Sequence, residues 1–110
     1  MALTTNTKTL LAARLSGSTT GMFYVAIGTG TPGASALGAE LSRREARSQV
    51  AASGVITVTR EWNIEDRVSG TITEAAIFDS ATGSMVAAAA ITSVAKGTND
   101  TLTIIWQLTL

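Results

Sequence analysis

Histidine and cysteine are both missing from this sequence of 110 residues. Without imidazole or thiol there is no Ser-His or Cys-His nucleophile pair, no disulfide, and no histidine or cysteine zinc site. The same absence leaves the redox compartment open. An excess of one charge sign is missing as well, since eight basic and eight acidic residues give a formal net charge of zero. Neutralising phosphates takes a clear basic excess, so nucleic acid is not expected as a partner. No run of about 20 apolar residues exists, so no membrane-spanning helix is expected either. The N-terminal MALTTNTKTLLAARLSG has neither a basic leader nor a continuous apolar core, and no signal peptide is read in it. Aromatic residues make up only 5% of the chain, and Trp62 and Trp106, which lie within alternating strands, read first as core or interface packing and only second as a ligand-stacking platform.

What is present points to one small β domain spanning residues 1–110. Apolar residues account for 45% and the mean hydropathy is +0.31, high for a chain with 15% charged residues. Much of the excess is alanine, and so much apolar and Ser/Thr surface on a small domain suggests burial against partners. Capping by Thr5 or Asn6, with Leu11 and Leu15 one turn apart and Gly17 as a stop, predicts one short helix over Lys8–Leu15.

Period-two alternation dominates the remainder. Met22–Ile27 reads as a strand. Leu37–Leu41 reads as a turn of helix, with an extended segment over Arg43–Ala52 and a tight turn at Ser53-Gly54. Val55–Ile64 places Ile56, Val58, Trp62 and Ile64 on one face, with Arg60 interrupting. Glu65–Gly70 is a polar connection, and Thr71–Phe78 forms a hairpin with Met85–Ile91 across the loop Asp79–Gly83. Ser93–Asp100 reads as another loop, and Thr101–Leu110 as a full-length closing strand. About six strands with turn signals between them predict a mainly β fold, an antiparallel β-sandwich or small barrel with one short N-terminal helix.

The stretch Gly28-Thr-Gly30-Thr-Pro-Gly33 matches the G-x-G-x-x-G pattern of dinucleotide-binding turns. The match lacks its structural context. A dinucleotide turn opens a helix within a parallel βαβ unit and is followed about 20 residues later by an acid that holds the ribose. Here Pro32 interrupts the pattern, Ala52-Ser53-Gly54 carries no acid, and the following strands alternate as antiparallel sheet. Backbone freedom in a surface turn explains these glycines better. Glu61, Glu65, Glu74 and Asp79 are the candidates for a carboxylate pair, and Asp66 and Asp100 for a hard cation, but neither set has the required organisation. The expected class is non-enzymatic, with no cofactor and no metal.

The order of segments is more informative than any single motif. "LTTNTKTLLAARLSG" is followed by "YVAIGTGTPGASALGAELSRREA", then "TITEAAIFDSATGSMVAAAAI", then "DTLTIIWQLTL". This order resembles a small β module of tailed-bacteriophage structural proteins. It is similar to the domain that heads tail-collar fibre proteins and to free-standing virion proteins of about this length. The positions that carry the likeness are Ala26, Gly28 and Gly30; Leu37, Glu40 and Arg43; and Ile72, Glu74, Phe78 and Asp79. Ala75-Ala76 depart from the glycine-containing pair more usual at that point. No shaft, coil or receptor-binding tip follows Leu110, which the resemblance turns into the expectation of a standalone accessory protein of the particle.

The resemblance implies a virion protein assembled in the host cytoplasm, with capsid or tail subunits as partners and a homo-oligomer, such as a trimer or higher ring, as its unit. Capsid decoration is the first expectation and a tail or baseplate fibre adaptor the second. A carbohydrate-binding module using Trp62 or Trp106 is a third, of a different class. The glycine loop, with Gly28, Gly30, Pro32 and Gly33, and the arginines Arg43, Arg44 and Arg47 are the expected contact residues, the arginines by pairing with acids of a neighbour.

Overall fold

The computed structural model describes residues 23–109. It is mainly β, with two antiparallel sheets packed on a shared core in a sandwich-like arrangement. The helix expected over Lys8–Leu15 lies outside the described residues. Among those described there are seven strands rather than six: β1 (Tyr24–Gly28), β2 (Glu40–Glu45), β3 (Ser48–Ala52), β4 (Val55–Trp62), β5 (Gly70–Phe78), β6 (Met85–Lys96) and β7 (Leu102–Thr109). One sheet has the order β2-β1-β5-β6 and the other β3-β4-β7.

The extra strand arises where the chain changes sheet. The extended segment expected over Arg43–Ala52 is divided at Ala46-Arg47. The Ala46 N–H donates to the Phe23 carbonyl in the first sheet, and the next N–H, that of Arg47, donates to Thr59 in the second. Backbone groups must be paired wherever water is excluded. Directing two consecutive donors to two different sheets lets the chain cross the sandwich edge without losing either bond.

Between the sheets, Val25 and Ile27 of β1 and Ile72 and Ile77 of β5 face Ile56, Val58 and Trp62 of β4 and Trp106 and Leu108 of β7. β4 alternates buried and half-buried residues along its whole length, as expected of a strand with one face on the core. Arg60 does not interrupt that pattern but is buried within it. Ile64 departs from the expectation. β4 ends at Trp62, and Ile64 is exposed in a short 3-10 helix over Ile64–Asp66 capped by Asn63.

Two further boundaries differ. The turn of helix expected over Leu37–Leu41 is absent, and β2 begins instead at Glu40. The loop expected from Ser93 begins only after Lys96, because β6 runs for 12 residues. Its register against β5 shifts between Ile72 and Glu74, which breaks the alternation through Thr92 and Ser93. A bulge of this kind hides a strand from a period-two reading.

Candidate functional site

The glycine loop leaves β1 and folds back over the outer face of the first sheet to reach β2. Its anchor is Glu74, a fully buried side chain in β5, which lies opposite Gly28 in the register. Glu74 Oε2 accepts from the N–H groups of Gly30 at 2.9 Å and Ala39 at 2.8 Å, and Oε1 accepts from Gly38 at 2.8 Å. Thr73 Oγ1 adds a bond to the Gly30 carbonyl at 2.7 Å. Thr29 N–H to Ala39 O and Gly33 N–H to Ala36 O close the loop on itself.

The shifted register of β5 makes this arrangement possible. In a regular strand Ile72 and Glu74 would share a face. Here Ile72 belongs to the inter-sheet core while Glu74 meets the loop on the other side. Bulges re-aim side chains in this way. The glycines serve the same contact: a Cβ on Gly28 would collide with the Glu74 carboxylate, and one on Gly38 with the backbone of Thr31. The stretch that resembles a nucleotide turn thus gives one N–H, that of Gly30, to the protein's own anion, which Gly38 and Ala39 from the other end of the loop complete. Burial pushes the Glu74 carboxyl up, but the three N–H groups from Ala39, Gly38 and Gly30 outweigh it and hold the group below the usual carboxylate range.

Beside the cradle, Leu37 descends from the loop onto Ala26, Ala76 and Phe78, forming a second buried cluster on this face. The small side chains of Ala26 and Ala76 leave the depth that Leu37 fills. Arg43 closes the end of the cluster: its guanidinium lies 3.5 Å from the Phe78 ring centroid, binds Glu40 through two nitrogens at 2.7 and 3.1 Å, and donates to the Ala81 carbonyl at 3.0 Å. Gly28, Leu37, Glu40, Arg43, Glu74 and Phe78 thus meet on one face, joined by Gly28–Glu74, Leu37–Phe78 and Glu40–Arg43–Phe78, whereas Ile72 faces the inter-sheet core.

The other expected contact residues are placed differently. Pro32 is half-buried, while Gly33, Ser35 and Ala36 at the loop tip are exposed. Arg44 and Arg47 are about half exposed, at 49% each, and are loosely paired with Asp66 at 3.5 Å and Glu61 at 4.0 Å. Arg43 is engaged more closely within its own chain than either of them.

Two buried charges escaped sequence reasoning. Arg60 donates to Asp66 at 2.8 Å and to the Glu45 carbonyl at 3.2 Å, while Asp66 also accepts from the Asn63 N–H at 2.9 Å. Burial pushes Asp66 up, but the Asn63 bond and the arginines Arg60, Arg44 and Arg47 overcome it and lower its pKa. Lys96 is buried at the far end of β6, where Nζ donates to the carbonyls of Gly97 and Asp100 at 2.7 and 2.6 Å. A basic residue at a core-facing strand position, with Asp66 six residues on, was the available signal for Arg60.

Glu61, Glu65 and Asp79 are not brought to Glu74, whose oxygens are occupied by the loop. Asp66 and Asp100 lie in separate hydrogen-bonded turns, and among the described residues no group of three acids is arranged to hold a cation. Trp62 is fully buried with its Nε1 donating to Ser42 at 2.9 Å, and Trp106 lies in the same core, so neither ring face is open for a sugar to stack on. Comparison with protein-family models, with curated proteins and with solved structures gave no match.

Proposed function

We propose that this protein is a non-enzymatic structural component of a tailed-phage virion that docks on the capsid shell as a decoration or cement protein. The observation that carries the reading is the loop clamped by Glu74. Its inward donors are saturated by a buried carboxylate, while its tip at Gly33, Ser35 and Ala36 stands exposed. A loop fixed in this way loses little further conformational entropy on docking, which favours recognition of protein. The resemblance supplies the setting, because Gly28, Gly30, Leu37 and Glu74, which are among the residues that carry it, build and hold this loop. Arg44 in β2 and Arg47 at the crossover to β3, both half exposed, are the charged contacts of a second patch, away from the loop. Repetition over a symmetric shell would multiply a modest contact into firm attachment.

Electron cryomicroscopy with quantitative mass spectrometry of purified particles tests this reading. The expected result is density for the protein at symmetry-related positions on the shell. Density confined to the tail would favour the fibre-adaptor role, and particles without the protein would sink both. The docking residues are tested by Arg44→Ala with Arg47→Ala, which should lower occupancy and leave the thermal midpoint nearly unchanged. Arg43 is left intact in that test, because removing it would disturb the Phe78 cluster.

A further inference from the structure

A sandwich of two open sheets has four edge strands, and unpaired edges invite pairing with another chain unless something guards them. Three of the four edges here are guarded. β2 carries Glu40, Arg43, Arg44 and Glu45, and its register shifts at Gly28. β3 is only five residues long. β6 has two register shifts against its neighbour and ends in a buried lysine. β7 has none of these protections. Its eight residues, Leu102 to Thr109, contain no charge, proline or glycine, and all eight pair with β4 in unbroken register. Among the described residues no strand pairs with its other side.

We propose that two copies of this chain pair through the free edges of β7, antiparallel about a twofold axis at Ile105. The two three-stranded sheets then form one continuous six-stranded sheet. The occupant is identified by self-complementarity. Pairing about Ile105 sets Ile105, which is 62% exposed, against its own copy and Thr103 against Gln107. On the core side it sets Leu102 against Leu108 and Ile104 against Trp106. Apolar side chains meet apolar ones, the polar pair can hydrogen-bond, and no like charges face each other. The two core-side residues of the strand that are only partly buried, Leu102 and Ile104, gain apolar neighbours. An edge that pairs with its own copy closes at two, so the assembly is a dimer. The inference does not depend on the virion reading, and failure of either leaves the other standing.

Sedimentation equilibrium of the full chain over a concentration series tests it, with Ile105→Lys and, on the opposite edge, Val50→Lys as variants. The wild type should be a dimer. Ile105→Lys removes an apolar pair and places two ammonium groups face to face, weakening the dimer about tenfold or more. Val50→Lys should leave it intact. The native chain has no cysteine, so Ile105→Cys gives a second readout that does not depend on the lysine variant folding. Opposed residues of an antiparallel pair lie within disulfide reach, and oxidised glutathione should link the variant into a covalent dimer. Val50→Cys should not link. A wild-type monomer, a trimer or larger ring, a dimer indifferent to Ile105→Lys, or thiols at position 105 that never join would each overturn the proposal.

Discussion

Glu74, buried, and Asp66, half-buried, are both acids held below the usual carboxylate range, yet they are stabilised by different means. Asp66 shares its charge with guanidinium groups, Arg60 at 2.8 Å and Arg44 at 3.5 Å, besides one backbone N–H. Glu74 is held by three backbone N–H groups and a folded loop. A carboxylate paired with a side chain can be removed together with its partner. One held by backbone cannot, because the donors belong to the loop itself. The first arrangement joins the 3-10 helix to two strands, whereas the second determines the conformation of an entire segment.

Glu74→Gln is the strongest way to break that comparison. The amide keeps the size of the side chain but turns one acceptor into a donor facing another donor. The expected loss is about 3 kcal/mol or more in urea unfolding, with faster amide exchange at Gly30, Gly38 and Ala39. A loss below about 1 kcal/mol would refute the clamp. The pH dependence of stability follows the same logic. A group whose folded pKa is depressed stabilises the fold above its unfolded pKa, near 4, and loses that contribution as pH falls through the folded value. Wild-type stability should therefore decline below about pH 4, and Glu74→Gln should flatten that decline without abolishing it, because Asp66 titrates in the same direction.

The paired site should respond less severely. Asp66→Ala leaves Arg60 buried without its anion, at an expected cost of about 2–3 kcal/mol. Combining it with Arg60→Met should cost clearly less than the sum of the two single changes, since the stranded charge is then gone. Strict additivity in a double-mutant cycle would count against a coupled pair. The smallest effect belongs to Arg44→Ala, whose guanidinium is half exposed. It should cost less than about 1 kcal/mol, and added salt should erase most of the difference from wild type.

The strands whose one face meets the core were the legible part of this fold. β4 and β7 alternate cleanly, and their registers contain no irregularity. β6 was read too short because a bulge interrupts its alternation, and Ile64 was assigned to a strand because its parity fits although Asn63 caps a helical turn there. The glycine loop connects the first strand to the segment carrying Arg43 and Arg44, as its sequence suggests, but its anchor was not legible. Glu74 stands among Ile72, Ala75, Ala76 and Ile77, and a lone acid in so apolar a run was the available clue. The three donors that satisfy it lie 35 to 44 residues away in sequence, a distance that local periodicity cannot span.

The unbroken pairing of β4 with β7 also has a consequence for the order in which this chain folds. β4 gains β3 at once through a tight hairpin, but its second neighbour arrives only after β5 and β6 have been made. Until then Ile56, Val58 and Trp62 have half a sheet to pack in, and Trp106 and Leu108 are missing from the core. Contacts this distant must be closed against the entropy of a long intervening loop, which slows folding of β proteins. On the ribosome, the second sheet must therefore wait for its third strand, and the nascent chain passes through a stage at which one side of its central strand is open to other chains.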